Sequence, residues 1–445
     1  MSVYKDIREE DILLGIDSWQ DKYNVFSPNG WPQDWTVDGV MTIPPLEGRD
    51  WFSLQPGDAN LTDKQIMESR TPGKNMFLSN YKTEFKHKLL RDIPSNRRYL
   101  YPIEINRPGE LVNNKIHLAD FKYVSERVKQ DVRKGIAKII LLMPYEGDYP
   151  VELHDLLNTW CVNCNFNKDS VYFINANIKS EELSKDLNFS VKILPTIFTS
   201  AFPMYRQNYD ENIYTNECTF DPKSNLTNLY VCYNRRPRYH RLMMLCSLLA
   251  SNLWHRGLIS HRPDNFEPYD NTMTWEFKPY VKMLQAIGPK ELDMDLVDNN
   301  PAIQYNIDHY SQTFLSLIPE TGFTNHSIFF SEKIWKSIRI GHPFIIVGSP
   351  GMLKGLHNLG FKTFSEWWDE SYDDELDLEN RVKKISKVLV KLSKLSIVEL
   401  KDIRRSLKDT VEFNQNLINS FGLENPMDKI ATVVKEIDDS FLSRN

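Results

Sequence analysis

From Tyr99 onward, short runs of apolar, β-branched and aromatic residues alternate with longer segments whose apolar positions recur at helical spacing. "RYLYPIEI" reads as a strand, "DFKYVSERVKQDVRKG" as an amphipathic helix, and "AKIILLMPYEG" as a strand apolar on both faces. The rhythm continues with "VELHDLLNTWCVNC" as helix, "SVYFINANI" as strand, "SEELSKDL" as helix and "SVKILPTIF" as strand. A polar, turn-forming stretch over residues 208–228 breaks it and reads as a linker. A second series follows, with strands at "LYVCYN", "GLISH", "QTFLSLIPE" and "PFIIVG" and helices at "RPRYHRLMMLCSLLASNLW" and "SEKIWKSIRIG". Amphipathic helices fill the chain from about Leu378. The first 80 residues scatter Pro, Gly and Trp through "SPNGWPQDW" and "TIPPLEGRDWF" and predict no regular fold.

Strands alternating with helices predict α/β architecture, with parallel sheets covered on both faces. The 445 residues are too many for one ordinary core. The expected organisation is therefore two Rossmann-like domains facing each other across a cleft. Residues 1–222 are expected to form the first, with an irregular N-terminal extension. Residues 223–380 are expected to form the second, and 381–445 helices that pack across both.

Composition changes this picture little, with 41% hydrophobic and 26% charged residues. The net charge of −6 argues against general nucleic-acid binding, but its distribution is uneven. Residues 81–140 hold 14 Lys/Arg against 7 Asp/Glu, a local +7 in a chain otherwise at −13. That segment reads either as solvated helix faces or as a surface for a polyanion. Eight acids between Glu366 and Glu379 read as a solvated loop or helix start. Cys161, Cys164, Cys218, Cys232 and Cys246 show no disulfide spacing, and the single CxxC lacks a second pair for zinc. The histidines lack ligand spacing, and "DMD" at 293–295 lies in an irregular stretch, so no metal is expected. Nor does an apolar leader occur, or an apolar run near the roughly 20 residues of a membrane span. A cytoplasmic protein without membrane contact is expected.

Two motifs carry chemistry. In "CYNRRPRYHR" a strand ends and four arginines follow within seven residues, before an apolar helix. Arginine forks match phosphate oxygens, and cations at a helix start oppose the dipole unless an anion is bound. In "FSEKIWK", Ser331 suits an N-cap and Glu332 the first turn, but Lys333 is a cation at the wrong helix end. A diphosphate there would reconcile Lys333 with its position, and Glu332 could accept both hydroxyls of a ribose. The following "HPFIIVGSPG" reads as a buried strand ending in a backbone-exposing turn, and a helix N-terminus facing a strand's carboxyl end is a common place for an anion.

These residues resemble a family. "SEKIWKSIRIGHPFIIVG" is similar to a segment of GT-B nucleotide-sugar transferases of the alpha-1,3-fucosyltransferase and exostosin-like groups. The likeness is closer to glycosyltransferases of large bacteriophages, and it spans about residues 228–380, with "YNRRPRYHR", "FFSEKIWK", "HPFIIVGSPG" and "WWDESYD" in the same order. It implies a GT-B-like fold and an inverting transferase with a nucleotide sugar as co-substrate and no essential metal. Glu332 would contact the donor ribose and Lys333 the diphosphate, together with one of Arg235, Arg236 or Arg238. Glu320 aligns with an acid that approaches the sugar or nucleotide.

The base must be a carboxylate within reach of the acceptor hydroxyl. Glu146 and Asp148 follow a strongly apolar strand; Glu104 and Glu110 lie in and after another. With the phage resemblance, the basic 81–140 stretch makes 5-hydroxymethylated pyrimidine in double-stranded DNA the leading acceptor, with Lys86, Lys88, Arg97 and Arg98 as contacts. The alternatives are a glycan or protein acceptor, or a non-catalytic nucleotide- or phosphate-binding module.

Overall fold

The computed structural model describes residues 13–16, 36–37, 40–41, 86–104, 111–112, 115–116, 124–143, 151–195, 225–234, 238–261, 276–290, 292, 306–422 and 426–441. Its frame is two parallel sheets. The first contains β1 (Leu13–Ile16), β2 (Lys86–Leu89), β3 (Tyr99–Glu104), β4 (Ala137–Met143), β5 (Val171–Asn175) and β6 (Ser190–Ile193). Their spatial order is β6-β5-β4-β3-β1-β2, and every pairing is parallel. The second contains β7 (Asn228–Asn234), β8 (Gly257–His261), β9 (Thr313–Pro319) and β10 (Phe344–Val347), in the order β8-β7-β9-β10.

β4 shows why its run of apolar residues needs no alternation. Ile139, Leu141 and Met143 point into a core with Val128 and Val132 of the Glu126–Arg133 helix and Leu153 and Leu157 of the Glu152–Asn163 helix. Ile140 and Leu142 point the other way, against Ile430, Val434 and Ile437 of the C-terminal Pro426–Asp439 helix. Successive strand residues face opposite sides, so a strand covered on both faces must be apolar throughout. Lys138 completes the second contact by donating from Nζ to the Ile437 carbonyl at 3.3 Å and to the Ser440 hydroxyl. The three preceding helices, Leu378–Ser393, Ile397–Ser406 and Lys408–Gly422, contribute to the core of the second sheet instead.

Two expectations change here. Leu13–Ile16, within the stretch that predicted no regular fold, pairs in parallel with β2 and β3. Four residues are too few to carry a local signal, and their neighbours in space supply the strand state. The acidic 366–379 stretch is not simply solvated. Tyr372 and Asp373 are buried, and Glu370 accepts the Phe364 N–H at 2.9 Å. His342 is a core residue, with Nδ1 2.7 Å from Ser316 Oγ and Nε2 2.9 Å from the Thr313 carbonyl. Burial lowers its pKa to about 3, so it stays neutral. The four described cysteines are free and buried, and burial pushes Cys161, Cys232 and Cys246 up to about 12. Thiols so held in the neutral form are inert.

Candidate functional site

In an open parallel sheet, a crevice forms where one strand continues the chain to its left and the neighbouring strand to its right. The second sheet has this switch between β7 and β9, since β8 lies beyond β7 and β10 beyond β9. β7 ends at Asn234, and Arg238, four residues on, is the N-cap of the Tyr239–Ala250 helix. β9 ends at Pro319, and Glu320 follows. The two chemical motifs therefore meet at one crevice.

Glu320 organises it. The residue is fully buried, and its backbone carbonyl accepts from Arg241 Nη2 at 3.0 Å and lies 2.8 Å from His240 Nε2. Arg238 reaches the adjacent Thr321 carbonyl through Nη1 at 2.6 Å. The Glu320 carboxylate accepts the Thr321 N–H at 3.1 Å and the Ser331 N–H at 3.3 Å. Burial raises its pKa, against the opposing charge of Lys333 and the bond from Ser331. Glu320 is thus turned inward and shapes the crevice wall. Gly348, at the end of β10, lies so close behind it that a Cβ there would stand 3.2 Å from the Glu320 Cβ.

Ser331 caps the Glu332–Ile340 helix as its sequence implied, accepting the Lys333 N–H. Lys333 Nζ donates to Ser331 Oγ at 2.9 Å and to Glu332 Oε1 at 2.8 Å. The Lys333 and Glu332 side chains keep 26% and 32% of their surface, so a ligand can reach both. Burial alone would raise the Glu332 pKa, but Lys333 outweighs it and holds the carboxyl below its ordinary value. Lys336, one turn on, is lowered to about 8, first by burial and then by Lys333, while Glu332 opposes. Beneath them Arg241 is lowered to about 10 by burial and by Arg238.

The helix N-terminus thus carries a concentration of cations, with Glu332 as the accessible acid. Free N–H groups and the helix dipole favour an anion at such a place. The turn after β10 is different. Asp373 accepts the Leu353 and Lys354 N–H groups at 3.0 and 3.2 Å, so an internal carboxylate already occupies the start of the Met352–Asn358 helix. The start of that helix is therefore capped by the chain itself.

Arg238, Glu320, Glu332 and Lys333 of the expected donor set come together; Arg235 and Arg236 lie outside the described residues, as do Glu146, Asp148 and Glu110. For Lys86 and Lys88, as for Glu104, the strands are described but the side chains are not. Arg97 and Arg98 precede the amino end of β3, with the Arg98 guanidinium 5.7 Å from the Phe441 ring centre. They face the C-terminal helix, at the sheet end opposite the strand carboxyl ends. Lys336 and Arg241 were missed within motifs already noticed. Their spacing, four residues after Glu332 and three after Arg238, was the available signal. Among the described residues no group of three or more His, Cys, Asp or Glu could hold a metal ion. Nor is any described helix long and apolar enough to cross a membrane.

No protein-family model matches the chain. No curated protein matches it either. Among solved structures, a glycosyltransferase from Rickettsia africae ESF-5 is similar at 15% identity, over 87% of this chain and 84% of that one, with a TM-score of 0.30.

Proposed function

We propose that this protein is a glycosyltransferase that takes its sugar from a nucleotide-sugar donor bound at the β7/β9 crevice. One observation carries the reading. Lys333 and Lys336 sit beside an accessible Glu332 at the N-terminus of an α-helix, against the arginine-lined switch point of a parallel sheet. Glu332 offsets the Lys333 charge, while Lys336, Arg238 and Arg241 add further positive charge around the crevice, which favours an anionic ligand. A diphosphate supplies that anion, and the carboxylate beside it suits a ribose diol.

Transfer would proceed by displacement with inversion. The acceptor oxygen bonds to the anomeric carbon as the bond to the diphosphate breaks, and a carboxylate takes the acceptor proton. Glu146 or Asp148, after β4, is the proposed base. Lys333, Lys336 and the arginines stabilise the charge that develops on the leaving diphosphate, so the reaction needs no metal.

Two acceptors are proposed. The local +7 of residues 81–140 supports hydroxymethylated pyrimidine in DNA. A glycan or protein hydroxyl is supported by the use of that charge within the fold, where Arg133 donates to the Cys164 carbonyl and Lys138 to the C-terminal helix. The test of the donor site is calorimetry with uridine and guanosine diphosphates. Lys333→Ala and Glu332→Ala should each weaken the nucleotide that binds by about ten- to a hundredfold, the loss of one charge-assisted contact. Unchanged affinity in both variants would remove the site.

A further inference from the structure

The segment that delivers Ser331 to the donor helix is gripped from the other sheet. Asn177 follows β5 and is fully buried. Its side-chain oxygen accepts the Ile328 N–H at 2.9 Å and the Lys179 N–H at 3.0 Å. The amide nitrogen donates to the His326 carbonyl at 3.1 Å. On either side the backbone joins in, with the Ile178 N–H on the Ile328 carbonyl at 3.0 Å and Lys179 Nζ on the Asn325 carbonyl at 2.7 Å. The grip spans 325–328, and Ser331 lies three residues further along.

Asn177 is itself held rigidly. Its own N–H donates to the Asn175 side-chain oxygen at 2.9 Å, and Asn175 donates to Ser180 Oγ at 2.9 Å. Ser180 Oγ stands 3.2 Å from His154 Nε2, and burial lowers His154 to about 4, so the network carries no charge near neutrality. A primary amide accepts through its oxygen and donates through its nitrogen, as a peptide group does, so it mimics a strand backbone toward the 325–328 segment. Two anchors then locate Ser331: the Glu320 carboxylate from the second sheet and Asn177 from the first.

We infer that Asn177 is a positioning residue of the donor site, setting the place of the Glu332–Ile340 helix start and so of Lys333 and Glu332. This rests on the reading of that helix start as the diphosphate site. A misplacement of about 1 Å in a binding group is costly because charge-assisted contacts are short and directional.

The experiment is calorimetric titration of the full chain with inorganic pyrophosphate, with thermal melting in parallel, on Asn177→Ala, Asn177→Asp and Lys333→Ala. Asn177→Ala should weaken pyrophosphate about tenfold. Asn177→Asp keeps the acceptor for the Ile328 and Lys179 N–H groups but turns an acceptor oxygen of a buried carboxylate toward the His326 carbonyl. It should therefore weaken pyrophosphate by about threefold or more. A lowered melting point with unchanged pyrophosphate affinity in Asn177→Ala would overturn the inference and leave Asn177 a purely structural clasp. If Asn177→Ala does not fold, Asn177→Asp decides alone: a threefold loss supports the role and an unchanged affinity overturns it. Unchanged affinity in Lys333→Ala would instead remove the diphosphate site, and the inference with it.

Discussion

The Glu320 carboxylate accepts the Ser331 N–H with both oxygens at 3.3 Å, tying the end of β9 to the N-cap of the Glu332–Ile340 helix eleven residues later. A buried carboxylate on backbone N–H groups is a clamp. Its two ends are the strand end and the helix start that form the crevice.

Removing the clamp should loosen both. Glu320→Ala leaves the Ser331 and Thr321 N–H groups without their acceptor and should cost on the order of 1–3 kcal/mol in urea unfolding. The pKa of Glu320 is raised in the folded state by burial, so its contribution is greatest at acid pH and declines as pH rises through that value. Glu320→Gln carries no such charge. The stability gap between parent and Glu320→Gln should therefore narrow as pH rises from the ordinary glutamate range through the raised value; a widening gap would contradict the assignment.

Lys336 predicts a pH dependence of anion binding. Its folded pKa of about 8 lies below the ordinary lysine value, so its charge is lost as pH rises through 8. Affinity for a nucleoside diphosphate should fall about three- to tenfold between about pH 7 and about pH 9. In Lys336→Met that component should be absent. For stability the sign is opposite: the unfolded chain holds the proton longer, so this group's contribution rises with pH from about 8 to about 10.5.

Asp373 should matter to stability rather than to donor binding. It caps the Met352–Asn358 helix through the Leu353 and Lys354 N–H groups. Asp373→Ala should cost about 1–2 kcal/mol, as loss of an N-terminal cap does. Nucleotide affinity should hold; a parallel loss would mean that this turn also binds the donor.

Chelation should leave transfer intact, because the proposed leaving-group stabilisation comes from lysine and arginine. Loss of activity in chelator, restored by magnesium or manganese, would call for an acidic ligand set outside the described residues.

Salt separates the two acceptors. If duplex DNA is the acceptor, log affinity should fall linearly with log salt, by about 0.9 for each phosphate neutralised. Arg98→Ala should leave that slope unchanged, since its guanidinium packs on Phe441. Absent or salt-insensitive DNA binding would favour a glycan or protein hydroxyl.

By itself, the sequence determined the local states. "AKIILLM" reads as a strand covered on both faces because it is short, almost wholly apolar and bounded by Gly135 and Pro144, too short a run for a buried helix. Ser331 had to cap a helix, and Lys333 had to stand as a cation at the helix end that disfavours it. These are properties of residues within a turn or two of each other. Tertiary structure decided what they meet. Leu13–Ile16 becomes a strand only through β2 and β3, far along the chain. Arg241 reaches the Glu320 carbonyl across 79 positions, and Asn177 reaches Ile328 across 151. Parallel sheets join segments through crossovers, so the residues that share a crevice are set by strand order, which local periodicity does not encode. The acid run of 366–379 shows the same division: its charge was legible, but the burial of Asp373 under a helix start arises only when Leu353 and Lys354 arrive beside it.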